Sequence, residues 1–282
     1  MALSEKIKYD VHPRNNFNEL SSCDWLKFTR SWFMLIPKGR DKKISHPASF
    51  PEKLVVNYLE FFTKKNSLIL DPFLGAGTTL VAARQTQRNA IGIELNKKYA
   101  ELSEERLNEI NENGTKQLVV NSDSRKIKNI FVKYGIPKCD FCITSPPYWN
   151  QLKNPGIKNT KDRKKSRQQT NLDTDYGSNT NDLGLINDYE KFLDEQEQIF
   201  DKVYDLMKPK SYLVVVTNNV YQNGRLWSLA FDTFNRLSKK WVPKDEQIWC
   251  QDSRKLHPFG MFHSYIGNRS HHYCLIFRKE IQ

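Results

Sequence analysis

Within six residues, Thr144-Ser145-Pro146-Pro147-Tyr148-Trp149 brings together hydroxyl acceptors, two prolines and two aromatic rings. Consecutive prolines remove two N–H donors and fix two φ angles, so the turn is rigid and its carbonyls are free to accept hydrogen bonds. Ser145 adds an acceptor and Tyr148 an aromatic face, a set suited to a flat group that carries an exocyclic amine. The preceding Phe141-Cys142-Ile143 reads as a buried strand, which puts the corner at the carboxyl edge of a parallel sheet, where open α/β sheets hold ligands. An ordinary Pro-Pro turn is the bland alternative, and a motif upstream argues against it.

That motif is Asp71-Pro72-Phe73-Leu74-Gly75-Ala76-Gly77-Thr78-Thr79, between an apolar strand over 67–70 and an amphipathic helix over 78–88. Glycines there let the backbone approach a ligand that faces the helix N-terminus. No Gly-Lys-Ser/Thr follows, which argues against a nucleoside triphosphate loop. Asp71, at the strand tip, is suited to a positive group. The next strand, 90–94, ends in Glu94, 17 residues after Gly77, near the spacing at which a carboxylate reaches ribose hydroxyls. A third strand, 118–121, leads into Ser122-Asp123, an acceptor for an adenine amine. Three strands ending in acids at one edge describe a site for an adenosine with a cationic substituent, and S-adenosylmethionine fits.

With these residues the chain resembles the DNA amino-methyltransferases, which methylate N4 of cytosine or N6 of adenine. Residues 71–79 are similar to the family's cofactor motif, and 143–148 to its catalytic motif in the Ser-Pro-Pro-Tyr form more typical of cytosine-N4 enzymes. His46-Pro47-Ala48-Ser49-Phe50-Pro51, with the apolar helix after it, resembles the segment over the methionine end of the cofactor, and residues 271–277 resemble the last strand. The resemblance covers about residues 23–279 and implies the following roles. Asp71, Phe73, Gly75, Gly77 and Thr78 line the methionine and sulfonium region, Glu94 binds the ribose, Asp123 binds the adenine amine, and His46 and Phe50 sit at the amino-acid end. Ser145 and Pro146 accept from the target amine, Pro147 holds the turn, and Tyr148 stacks on a base everted from duplex DNA. S-adenosylhomocysteine is the product and no metal is needed. Implied partners are double-stranded DNA and a cognate restriction endonuclease acting on the same site, with the chain a monomer or homodimer. One departure is the order: many Ser-Pro-Pro-Tyr enzymes carry the catalytic motif first, whereas here the cofactor motif precedes it. Adenine-N6 methylation, RNA methylation and a catalytically silent DNA-binding module are the competing readings.

A chain of 282 residues with 38% hydrophobic residues can bury one large α/β core. The net charge of +12 favours a polyanionic partner, DNA, RNA or an acidic protein alike. The first residues lack a signal peptide's apolar stretch, and no apolar run reaches the length of a membrane span. The expected location is the cytoplasm, in association with the nucleoid. Five cysteines in a chain of this size do not suggest a disulfide framework. Cys139 and Cys142 form a single Cys-x-x-Cys whose i, i+3 spacing on a strand points to opposite faces. No cysteine stands in the proline corner, which argues against methylation of cytosine C5 through a thiolate.

The fold expected is a doubly wound, seven-stranded, mostly parallel α/β sheet of the Rossmann-like methyltransferase kind. Its strands fall over 68–71, 90–94, 118–121, 139–144, 211–217, 245–250 and 272–278, with helices over 96–111, 188–207 and 225–237; the resemblance makes the last strand antiparallel. Residues 1–45, rich in aromatic and basic residues, read as an extension or flap, and 46–282 as the catalytic domain. Within it, 150–187 reads as a basic, mobile loop. Residues 151–170 hold five Lys and two Arg against one Asp. Lys153, Lys158, Lys161, Arg163, Lys164, Lys165 and Arg167 are the candidates for DNA phosphates, with Trp149 extending the Tyr148 platform; a solvated insertion is the alternative. Residues 251–269 suit either nucleic-acid contact or a long hairpin connection.

Overall fold

Short β-branched and aliphatic runs alternate with amphipathic segments along most of the chain, and each run becomes a strand. The computed structural model describes residues 10–35, 50–149, 182–252 and 256–280. In chain order its principal strands are β1 (Trp32–Met34), β2 (Leu68–Asp71), β3 (Asn89–Glu94), β4 (Gln117–Asn121), β5 (Cys139–Thr144) and β6 (Met207–Thr217). A hairpin, β7 (Val220–Gln222) and β8 (Arg225–Trp227), precedes β9 (Val242–Cys250) and β10 (His271–Arg278). The helices are α1 (Ser22–Phe28), α2 (Glu52–Phe62), α3 (Thr78–Gln85), α4 (Lys97–Asn108), α5 (Ile127–Tyr134), α6 (Tyr189–Leu206) and α7 (Leu229–Leu237).

Among the described residues one sheet has the order β1-β9-β10-β6-β5-β2-β3-β4. The pairs β5·β2, β2·β3, β3·β4 and β5·β6 are parallel, and β10 runs antiparallel to both β6 and β9. Alternate residues feed two layers. Ile69, Phe141, Val214 and Ile276 pack with Leu54, Leu59 and Leu80 of α2 and α3 on one side. Leu70, Cys142, Leu213 and Leu275 pack with Phe131, Phe200 and Leu237 of α5, α6 and α7 on the other. Successive strands step outward from β2 through β3 to β4, and then β5 returns to the other side of β2. The loops after β2 and β5 therefore part at the strand ends, and this divergence opens a crevice.

The structure differs from the sequence reading in several places. The sheet gains an eighth strand, because β1 pairs parallel with β9 (Trp32 opposite Ile248). Phe17, Trp25 and Phe28 pack with Phe61 and Phe62, so the aromatic residues in the described part of the N-terminal extension pack against α2. Residues 225–227 are strand, not helix. Asn223 and Gly224 both have positive φ (50° and 75°), the conformation that closes a two-residue hairpin. Finally, Cys139 and Cys142 lie in the same core layer, because the β5 register shifts between Cys139 and Phe141. Burial raises both thiols well above their ordinary range.

Candidate active site

The crevice at the β2/β5 switch is an open cleft. Its floor is the Gly-rich loop: Phe73, Leu74, Gly75, Ala76 and Thr78 line it, while Gly77 and Asp71 do not. Gly77 is instead the N-cap of α3 at φ +82°, and a Cβ there would stand 2.8 Å from Cβ of Ser103. Close packing of the loop on α4 thus requires glycine at this position. Ser103 Oγ donates to the Gly75 carbonyl (2.9 Å), and Arg106 donates to the Ala76 carbonyl while paired with Glu52 (2.6 Å). Neither α4 residue was expected to take part. They stand on one helical face, three residues apart, a spacing that carries no chemical signature until the helix is docked.

Asp71 also departs from the sequence reading. Its side chain is fully buried, and its carboxylate accepts from Phe73 N–H (3.0 Å), Thr79 Oγ1 (2.5 Å) and Thr144 Oγ1 (2.6 Å). Burial raises its pKa to about 6 against the pull of those donors. Asp71 is therefore a brace that ties the Gly-rich loop, α3 and the end of β5 together, not a group offered to a cation in the cleft.

Glu94 does line the cleft. One carboxylate oxygen accepts from Gly75 N–H (2.7 Å) and the other from Asn96 N–H (2.8 Å). These bonds hold the carboxylate in place and leave each oxygen a further lone pair. Burial pushes its pKa up to about 7, only partly offset by the two backbone donors. Asp123, another cleft residue, caps a 3₁₀ turn by accepting from Arg125 N–H (2.9 Å), and its second oxygen pairs with the Arg125 guanidinium (3.0 Å). Ser124 donates to the Pro72 carbonyl and locks this turn to the first loop. Phe50, Leu95, Asn96, Ser124, Asp182, Leu183 and Ile199 complete the walls. Of these, only Phe50 was anticipated. Leu183 and Ile199 reach the cleft from a segment more than a hundred residues away from the first loop, which no local pattern reveals.

On the far wall stand Ser145, Pro146, Pro147 and Tyr148, all lining the same cleft. Ser145, Pro147 and Tyr148 are partly exposed, and Thr144 just before them is fixed on Asp71. Trp149 is different. It is 4% exposed, its ring meets Tyr189 (4.9 Å) and Trp227 (4.7 Å) edge-on, and its carbonyl accepts from Gln222 Nε2 (2.8 Å). After the proline corner the chain turns inward against α6 and the β7–β8 hairpin, so Trp149 packs in the core instead of extending the Tyr148 platform toward DNA. His46 and the basic series Lys153, Lys158, Lys161, Arg163, Lys164, Lys165 and Arg167 lie outside the described residues.

The family model described as DNA methylase, for N6 and N4 methyltransferases, matches residues 5–105 and 139–281. The chain belongs to this DNA methylase family. Among curated relatives, the type II methyltransferase M.BglI of Bacillus subtilis is 41% identical over 86 residues, 30% of this chain and 24% of the relative. The orphan methyltransferase M.BamHII of Bacillus amyloliquefaciens is 37% identical over 78 residues, 26% of this chain and 29% of the relative. The matched stretches thus span less than a third of those relatives' lengths. Among solved structures, NSun6 from Pyrococcus horikoshii with SFG superimposes with a TM-score of 0.51 at 13% identity, covering 84% of this chain and 53% of that one. That likeness shows a shared fold.

The cofactor implied for a DNA methylase, S-adenosylmethionine, suits the groups that line this cleft. Apolar walls at Phe50, Phe73, Leu95 and Ile199 match a purine and an alkyl chain, Glu94 matches hydroxyl donors, and Asp123 matches an amine. Among the described residues no helix is long and apolar enough to cross a membrane.

Proposed function

We propose that this chain transfers the methyl group of S-adenosylmethionine to the exocyclic N4 of cytosine in duplex DNA, as the modification component of a restriction-modification system. One observation carries the reading: the acceptor-rich corner Ser145–Tyr148 and the two carboxylates Glu94 and Asp123 line a single cleft. When bound, the cofactor supplies an electrophilic methyl group on a sulfonium. The residues of the chain do the rest. Glu94 takes the ribose hydroxyls and Asp123 the adenine amine. An exocyclic amine is a poor nucleophile because its lone pair is delocalised into the ring. Ser145 Oγ and the Pro146 carbonyl accept its two hydrogens and favour a pyramidal nitrogen with the lone pair recovered. Pro147 keeps that geometry rigid, and Tyr148 stacks on the base, which has to leave the duplex to enter. Asp71 acts through Thr144, holding the corner at a constant distance from the Gly-rich loop, so that positioning and preorganised acceptors supply the acceleration. The surplus proton leaves to solvent.

The Ser-Pro-Pro-Tyr form supports cytosine N4. Adenine N6 is the second reading, supported by a family that spans both amines. Relatives named type II methyltransferases support a cognate endonuclease, whereas a relative named an orphan methyltransferase fits action without one. DNA lacking modified bases, incubated with the protein and heavy-methyl S-adenosylmethionine and digested to nucleosides, tests the proposal by mass spectrometry. N4-methylcytosine supports it, N6-methyladenine supports the second reading, and absence of label on either base overturns both.

A further inference from the structure

Between β9 and β10 the chain makes an excursion over residues 251–270 whose base and tip are both tightly held. Gln251 N–H donates to the Ser270 carbonyl (2.6 Å) at the base. Further out, His257 N–H donates to Asn268 Oδ1 (2.8 Å) while Asn268 Nδ2 donates to the His257 carbonyl (2.7 Å). At the tip the Gly260 carbonyl accepts from both His263 (2.9 Å) and Ser264 (2.8 Å). The turn is so close that a Cβ on Gly260 would lie 2.4 Å from the Ser264 carbonyl oxygen.

This ordered tip holds large apolar side chains out in solvent. Phe262 is 91% and Tyr265 96% exposed, with Leu256 and Met261 more than half exposed beside them. Phe262 also adopts φ +70°, a left-handed conformation unfavourable for an aromatic residue. Solvent exposure and backbone strain both oppose folding, and their coincidence on one residue marks a binding surface.

The position of the tip decides what it binds. β9 is antiparallel to β10, which is antiparallel to β6, so β9 ends at the same edge of the sheet as β5. There the Tyr148 ring lies 6.3 Å from that of His272, at the root of the excursion. In sequence the segment holds Arg254, Lys255 and Arg269 against Asp252, the first two outside the described residues, on a chain of net charge +12, which complements a polyanion. Everting a base from a duplex leaves a gap between two apolar, stacked faces, the kind of space that aromatic and aliphatic wedges fill. We infer that Phe262, supported by Tyr265, is a wedge that enters the base stack of duplex DNA and occupies the gap left by the target base. This inference rests on the proposed function and adds the element that keeps the base out.

The test uses the intact chain and the double variant F262A/Y265A, both exposed positions outside the cleft. Transfer from tritiated S-adenosylmethionine is measured on two synthetic DNA pools with the same randomised core. One pool is fully paired by primer extension; the other is melted and rapidly reannealed, so that its core stays an unpaired bubble between duplex arms. The variant is expected to lose at least about tenfold in rate on paired DNA and to recover most of that loss on bubbles, where no stack needs to be held open. Its melting temperature and cofactor affinity stay at the values of the unmodified chain. An unchanged rate on paired DNA, or failure of the bubble to rescue the variant, overturns the wedge alone. Absence of transfer by the unmodified chain to either pool overturns the methyltransferase reading, and the wedge with it.

Discussion

Replacing Glu94 by glutamine probes the site at the group whose electrostatics are most distinctive. The carboxylate takes one backbone N–H on each oxygen, from Gly75 and Asn96. A carboxamide of the same shape has one acceptor oxygen and one donor nitrogen, so one of those N–H groups must face another donor and one ligand hydroxyl loses its charged acceptor. A hydrogen bond to a charged group is worth roughly 1.5–3 kcal/mol, so a loss of about 2 kcal/mol weakens the cofactor Kd about thirtyfold. The raised pKa adds a second signature. Because burial lifts Glu94 from its ordinary 4.5 to about 7, ionisation in the free protein is half complete near neutrality. Ribose hydroxyls require the ionised form, so affinity rises with pH through about 7 and falls by about tenfold per pH unit below it. The same shift makes Glu94 stabilise the unliganded fold most fully below pH 4.5, a contribution lost as pH rises through about 7. Glu94→Gln removes both dependences. Calorimetric titration with S-adenosylhomocysteine between pH 6 and 8 reads the binding effect, and thermal melts without ligand read the stability effect. A variant Kd within threefold of the original at pH 8, or the same pH slope in both proteins, refutes the assignment.

Ser145→Ala should lower the single-turnover methyl-transfer rate by about tenfold or more while cofactor affinity stays within twofold, because the proposed mechanism sets Ser145 against the target amine; an unchanged rate by rapid quench removes its catalytic part. Asp71→Ala should strand three donors, the buried Thr79 and Thr144 hydroxyls and the half-buried Phe73 N–H, costing about 3 kcal/mol or more and lowering the melting temperature by roughly 10 °C by calorimetry; an unshifted melt contradicts the brace. Gly77→Ala should cost about 2 kcal/mol through its positive φ and the clash with Ser103, with weaker cofactor binding in the same preparation, read by melting and by titration.

Much of this was legible because the motifs are contiguous. Pro146-Pro147 must make a rigid corner wherever it stands, and a strand followed by Gly75-Ala76-Gly77 must turn tightly into a helix. The apolar runs at 68–71, 90–94 and 139–144 announce their strands, and Asn223-Gly224 is the dipeptide of a two-residue hairpin, which is why 225–227 forms β8 rather than the first turn of a helix. Asp71 and Gly77 stand inside a motif that reads as ligand-binding, yet their contacts include Thr144 of β5 and Ser103 of α4, segments that the motif does not contain. Trp149 adjoins the catalytic corner in sequence, but its environment is set by Tyr189 and Trp227, tens of residues downstream.

Local stereochemistry was enough to say which chemistry the corner could support and which edge of a sheet would carry it, because proline, glycine and alternating apolar residues constrain the backbone over a few bonds. The partition of roles among the acids was different. Asp71, Glu94 and Asp123 look alike at their strand ends, and only docking of the layers buries the first behind Thr79 and Thr144 while leaving the other two on the cleft. Whether a carboxylate serves a ligand or the fold depends on which donors reach it, and those donors come from segments that meet only when the chain has closed on itself.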